Sequence, residues 1–303
     1  MITCDISVLL LSYNPSEDEL RRSIRSISQQ EDCSFQLLVV DDCSQINPSQ
    51  FVTDLIRQYP VHDWAYIRNA HNMKTVHSVR NALRQATGKY VKLLGAGDEL
   101  YDHSTLKAIA DFCKTYDSQC GFGNIVLCKD GVSYDAPRNK VEYPPAGNAS
   151  RKHLFKNQIE HADWIPGCAQ FYETRFLARM LEQLSDYYHV DFCEDFSETI
   201  ALLETDVFHL DTPIVKYDWG GGISANGSLS SRTRLYQDHT NFFSHLRQEK
   251  PFGLSLTFSY AVFRIKKFIA LRTPIYPFLQ KIYEDSPRLA IMTIRAIYPV
   301  DMH

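Results

Sequence analysis

The chain has 303 residues, 44% of them hydrophobic and 22% charged, enough apolar material for one large domain or a domain with an appendage. A formal net charge of −4 argues against a nucleic-acid binder, and eight cysteines without a CxxC pair argue against a zinc ribbon or a secreted disulfide framework. The charge is uneven: residues 241–303 carry nine Lys/Arg and four Asp/Glu, whereas residues 1–240 carry 23 and 32.

The opening MITCDISVLLLSYN lacks a basic flank and a small-residue cleavage site, and its apolar run has the length of a buried strand, not of a signal peptide. No stretch reaches about 18 uninterrupted apolar residues, so no transmembrane helix is expected and the chain reads as cytoplasmic. Strand and helix signals then alternate. Ile6–Ser12 reads as a strand and Glu17–Gln30 as a helix, with Leu20, Ile24 and Ile27 at helical spacing. Phe35–Val40 is a strand ending at Asp41-Asp42, Phe51–Tyr59 a helix, Ala65–Arg68 a strand and Thr75–Ala86 a helix. Tyr90–Leu94 is a strand closed by Gly95-Ala96-Gly97-Asp98. Such βαβ order predicts an α/β fold with a mostly parallel sheet and right-handed crossovers. Ligands in these sheets sit beyond the carboxyl ends of the strands, where Ser12-Tyr13-Asn14, Asp41-Asp42 and Gly97-Asp98 fall. Residues 130–165 read as an irregular insertion, Gln170–Leu184 and Glu194–Leu203 as helices, and Val215–Ser224 as a strand entering a glycine-rich loop. From about Thr233 the pattern is helical, with aromatic and basic residues mixed.

Four segments, ISVLLLSYNPSEDELRRSIRSISQQ, FQLLVVDDCSQ, VRNALRQATGKYVKLLGAGDELYD and FCEDFSETIALL, resemble in order the blocks of glycosyltransferase family 2. The resemblance covers about residues 4–225, and the closing GGGIS is similar to a segment of bacterial members that build surface polysaccharides. It implies a GT-A fold and inverting transfer of a sugar from a nucleotide-sugar donor, UDP- or dTDP-linked, to a lipid-linked oligosaccharide or polysaccharide acceptor. A catalytically silent sugar-nucleotide-binding or scaffold protein of the same fold is the rival reading.

The residues suit that chemistry. Ser12 ends the first strand and Tyr13 follows it, while Asp41 and Asp42 follow the second, so they share one sheet edge. A uracil-like base needs a flat apolar face and an acceptor for its imide N–H, which a tyrosine and a carboxylate supply. The resemblance gives the base-binding role to Asp42; Asp41 either shares it or shapes the turn. Where the family has Asp-x-Asp-Asp this chain has Gly95-Ala96-Gly97-Asp98, so Asp98 is the surviving side-chain ligand for the Mg²⁺ or Mn²⁺ that the resemblance implies. Gly97 lets backbone approach the donor closely. Lys74, Arg80 and Arg68 are candidates to pair with the diphosphate. Inversion needs one general base for the acceptor hydroxyl, which maps to Asp195, with Glu194 orienting it or touching the acceptor. Trp164 and Trp219, with His161 and Asp163, are candidates to line the acceptor side.

The expected division is a GT-A catalytic domain over residues 1–240 and a helical basic/aromatic extension over 241–303. The extension reads either as a peripheral membrane contact at the inner face of the cell membrane or as a layer packed on the domain or in a homodimer.

Overall fold

The computed structural model describes residues 2–129, 132–135, 141–161, 164–218 and 229–272. The first half contains β1 (Cys4–Ser12), α1 (Glu17–Ser28), β2 (Phe35–Asp41), α2 (Ser49–Gln58), β3 (Trp64–Arg68), α3 (Thr75–Leu83) and β4 (Gly88–Gly95). These four strands lie parallel in the order β3-β2-β1-β4. Both faces of each central strand are buried, which is why they read as predominantly apolar runs. Successive side chains point to opposite faces. Leu9, Leu38, Val40, Val91 and Leu93 belong to one hydrophobic cluster; Val8, Leu10, Leu37, Val39 and Leu94 belong to the other. Helices α1 and α2 cover the second face, and α3 covers the first. The Ser16/Glu19 capping box fixes the start of α1, and with it the Tyr13-Asn14 turn that precedes it.

The second half continues with β5 (Glu99–Leu100), α4 (Thr105–Tyr116), β6 (Cys120–Lys129), β7 (Val132–Asp135), α5 (Arg151–His161) and β8 (Gln170–Glu173). It closes with α6 (Thr174–Glu182), α7 (Phe196–Glu204), β9 (Phe208–Asp218), α8 (Leu229–Glu249) and α9 (Thr257–Arg272). The sheet extends as β4-β8-β6-β9-β5, with β7 beside β6. β8 runs antiparallel to both neighbours, and β6 runs parallel to β9.

Two expectations are corrected. Gln170–Leu184 is not one helix: QFYE forms β8, because Phe171 and Tyr172 are buried into opposite hydrophobic clusters and so follow a period of two. The span 130–165 is not wholly irregular, since Leu154, Phe155, Gln158 and Ile159 place a helical face of α5 in the core. A boundary at residue 240 falls inside α8, and Phe242, Phe243, Leu246, Leu256 and Phe263 join the same cluster as Leu9 and Val91. Residues 241–272 are therefore a layer on the domain.

Candidate active site

The chain leaves β1 for β2 and β3 on one side, then returns to pair β4 on the other, so the β1/β4 border is the topological switch point. At its carboxyl edge, Ser12 is buried and donates its hydroxyl to the Val40 carbonyl (3.1 Å), while Tyr13 stands 49% exposed. Asp41 is fully buried and wholly committed. It takes hydrogen bonds from Tyr66 (3.0 Å), from the Ser44 N–H (3.0 Å) and hydroxyl, and from Arg68. Arg68 also donates to the Ser44 carbonyl (2.7 Å), so the Asp41–Arg68 pair knits the β2 turn to β3. Asp42 accepts from Asn69 Nδ2 (2.8 Å) and from the backbone N–H groups of Met73 (2.8 Å) and Lys74 (2.9 Å). It thereby anchors the loop that enters α3.

The Gly95–Asp98 turn closes β4. Gly97 has φ +103°, a conformation that favours glycine, and a Cβ there would stand 2.8 Å from Asp218 Oδ2. Asp98 is 6% exposed, and its Oδ1 accepts from the Asp218 N–H (2.9 Å). Burial pushes the Asp98 carboxyl up to about 7, against the Asp218 N–H and nearby Lys92, which lower it. Among the described residues no group of three or more His, Cys, Asp or Glu is gathered to hold a metal. Asp98 alone would therefore give a hard divalent ion one carboxylate, and the remaining oxygens would have to come from a ligand.

Lys92 was missed in the sequence, although a lysine inside the apolar strand YVKLL is a visible signal. It is fully buried, burial pushes its ammonium down to about 8, and it donates to the carbonyls of Leu93 (3.2 Å), Gln170 (3.3 Å) and Cys168. These bonds fasten the 167–170 segment to β4. That segment carries the second half of the site. A Cβ on Gly167 would stand 2.6 Å from Glu194 Oε1, and Gln170 Nε2 donates to the Asp195 carbonyl (3.1 Å). Glu194 and Asp195 precede α7, with Asp195 at its N-cap. Burial raises both carboxyls above their ordinary range; Asp195 lifts Glu194 further, while the backbone N–H groups at the start of α7 draw Asp195 back down. A raised, half-buried acid pair at a helix start is suited to taking up one proton near neutral pH.

The three predicted cations all have acidic partners. Arg68 is held by Asp41, Arg80 by Asp186 (2.8 Å) and Ser185, and Lys74 by Asp191. Asp191, also missed, accepts from His77 Nε2 (3.1 Å), and its carbonyl accepts the Val76 N–H (2.9 Å). Burial would raise the Asp191 carboxyl, but hydrogen bonds from Lys74 and His77 outweigh it and hold it below its ordinary value. The loop at the start of α3 is thereby tied to the loop before Glu194. Trp164 is not an open platform: its ring packs against Phe196 (5.2 Å), His239 (6.1 Å) and Phe243 (6.3 Å). Trp219, Asp163 and the His161 side chain lie outside the described residues.

Comparison with known proteins gives this arrangement relatives. The uncharacterized glycosyltransferase MJ1057 of Methanocaldococcus jannaschii is 32% identical over 96 residues, 31% of this chain and 32% of that protein. The chain therefore spans about a third of that relative's length. S. aureus TarS 1–349 in complex with UDP-GlcNAc superposes with a TM-score of 0.54 at 17% identity, over 88% of this chain and 81% of that one. The mannosyltransferase PcManGT of Pyrobaculum calidifontis, in complex with GDP-Man and Mn²⁺, gives 0.57 at 15% identity, over 97% and 82%. At these identities the likeness is one of fold, a GT-A fold in each case. The profile of glycosyl transferase family 2 matches residues 7–201, from within β1 into α7, so it includes both the strand ends and the Glu194–Asp195 pair, and the chain belongs to that family.

Proposed function

We propose that this protein is an inverting glycosyltransferase that moves a sugar from a UDP- or dTDP-linked donor to a lipid-linked oligosaccharide or polysaccharide acceptor. The observation that carries the reading is the placement of the Glu194–Asp195 pair at the start of α7, joined through Gln170, Cys168 and Lys92 to the strand that leads into the Asp98 turn. Donor and acceptor ends are then fixed to one strand. Tyr13, exposed at the rim, stacks on the base, and Asp42 offers it a remaining lone pair. Lys74 exchanges Asp191 for the diphosphate, whereas Arg68 and Arg80 act from behind, through Asp41 and Asp186. Asp98 would hold Mg²⁺ or Mn²⁺, which supplies neutralisation of diphosphate charge. Asp195 accepts the proton of the acceptor hydroxyl as its oxygen attacks the anomeric carbon and the nucleoside diphosphate leaves from the opposite face. PcManGT with Mn²⁺ and TarS with UDP-GlcNAc support the metal and the donor class by analogy of fold.

The test is a thermal-shift panel of nucleotide sugars, followed by transfer assays on the stabilising donors and NMR of the product's anomeric centre. Inverted product supports the reading. Nucleotide binding with no sugar released at any Mn²⁺ concentration would replace it with the silent binder.

A further inference from the structure

Helix α8 lies beyond the matched family segment, yet it reaches the loop that presents the acid pair. Asp238 on this helix is 3% exposed, and its Oδ2 accepts three consecutive backbone N–H groups: Asp191 (3.1 Å), Phe192 (2.6 Å) and Cys193 (3.1 Å). Three amides converging on one anion form a nest, and the next two residues are Glu194 and Asp195. Neighbours on the same helical stripe reinforce the grip. The Arg234 guanidinium lies over the Phe192 ring at 5.8 Å, and Asn241 Nδ2 donates to the His189 carbonyl (2.7 Å). Beneath the loop, Phe242 stacks on Phe196 with ring centroids 4.4 Å apart.

We infer that Asp238 is a positioning residue for sugar transfer, holding the 191–193 backbone so that Asp195 meets the acceptor hydroxyl in its working geometry. The inference rests on the proposed role of Asp195 as base. A neutral side chain would be the cheaper clamp in a neighbourhood that already holds Asp191, Glu194 and Asp195. A carboxylate there also acts on the pair through space: its charge raises the proton affinity of both acids, alongside their burial. The other titratable groups around it are the buried Cys193 thiol, the half-buried His239 on its own helix, and the Lys74 cation over Phe192.

The experiment compares the full chain with Asp238→Ala and Asp238→Asn by hydrogen exchange, UDP calorimetry and transfer kinetics. Asparagine can keep its oxygen on the three amides while removing the charge. In Asp238→Ala, exchange at amides 191–193 should rise by about tenfold or more, with UDP affinity within about twofold. Its kcat should fall by about 10–100-fold with little change in donor KM, the scale expected for a misplaced catalytic group. Asp238→Asn should retain most of that protection and of the kcat, and move the acid limb of the pH–rate profile to lower pH. If the alanine variant does not fold, the asparagine variant decides by that shift. Faster exchange with unchanged kcat would make Asp238 a structural clamp only, and an unmoved acid limb would remove its electrostatic part. Absence of transfer by the parent chain would instead sink the functional reading, whatever the amides of 191–193 do.

Discussion

Asp191→Asn should strengthen nucleoside-diphosphate binding. In the free protein Lys74 is paired to Asp191, with side chains 42% and 35% exposed, so a diphosphate that recruits Lys74 must first break that pair. Half-exposed pairs of this kind are worth about 0.2–1 kcal/mol, so releasing Lys74 should tighten UDP binding by up to about fivefold. The substitution is mild. The Val76 N–H still reaches the residue-191 carbonyl, Asp238 still holds the amides of 191–193, and asparagine can still accept from His77. Lys74→Met should do the opposite, weakening UDP by about tenfold or more, since a charge-assisted hydrogen bond is worth roughly 1.5–3 kcal/mol. Calorimetry at two salt concentrations provides the check, because the Asp191 effect should shrink as salt screens the pair. An Asp191→Asn variant with unchanged melting temperature that binds UDP no better than the parent would refute the reasoning. Lys74 would then belong to the loop-to-loop tie alone.

Other expectations follow from the same geometry. Asp195→Asn should lower turnover by about 100-fold or more with UDP affinity largely kept, and near-normal transfer would remove Asp195 as the base. The base works only when deprotonated and burial raises its pair, so the parent's rate should fall with decreasing pH well before the ordinary carboxylate range near 3.8. Asp98→Asn should weaken Mn²⁺-dependent donor binding by at least roughly 10–100-fold, and indifference of the parent to EDTA would end the metal reading. Lys92→Met should cost about 1–3 kcal/mol by leaving three carbonyls without their donor. Because Lys92 titrates at about 8 in the fold and 10.5 unfolded, the unfolded chain binds more protons between those values. The parent should therefore gain stability from this group across that window in urea melts, and the variant should lose the gain. Intact protein should bind anionic vesicles in a salt-sensitive way through α9, where Phe258, Ile265 and Phe268 are exposed beside Arg264; salt-independent failure to sediment with vesicles would leave α9 as a packed layer only.

The parallel half of the fold was legible because each signal was local. Two-faced apolar strands, helices with a 3.6-residue stripe and a capping box all lie within one segment of chain. The second half was less legible. QFYE is too short to announce a strand beside a strong helix, and α5 carries its core contacts on a face interrupted by polar Gln158. At the site, strand-end positions correctly collected Tyr13, Asp42 and Asp98 on one edge, since that depends only on βαβ topology. The commitments of the charged groups did not follow, because Lys74 meets Asp191 across 117 residues and Lys92 meets Cys168 across 76. No spacing rule reaches so far.

Those commitments bear on how an anionic donor is accommodated. Five carboxyl groups gather around the proposed reaction: Asp98 in the turn after β4, Asp191, Glu194 and Asp195 in the loop before α7, and Asp238 on α8; four of them are raised by burial or by one another. The cations are already engaged: Lys92 by three carbonyls, Lys74 by Asp191, Arg68 by Asp41. A nucleoside diphosphate entering this field alone would be repelled by each of these carboxyl groups wherever it is ionised, and low-dielectric surroundings would enlarge that penalty. Two changes relieve it. A proton or a divalent ion at Asp98 removes the nearest carboxylate charge, and the turn of Lys74 from Asp191 to the diphosphate adds a positive one. The loss of the other acidic side chains from the Gly95–Asp98 turn is then less of a handicap than its donor count suggests. On the proposed reading, fewer carboxylates would hold a metal less tightly but would also repel the diphosphate less.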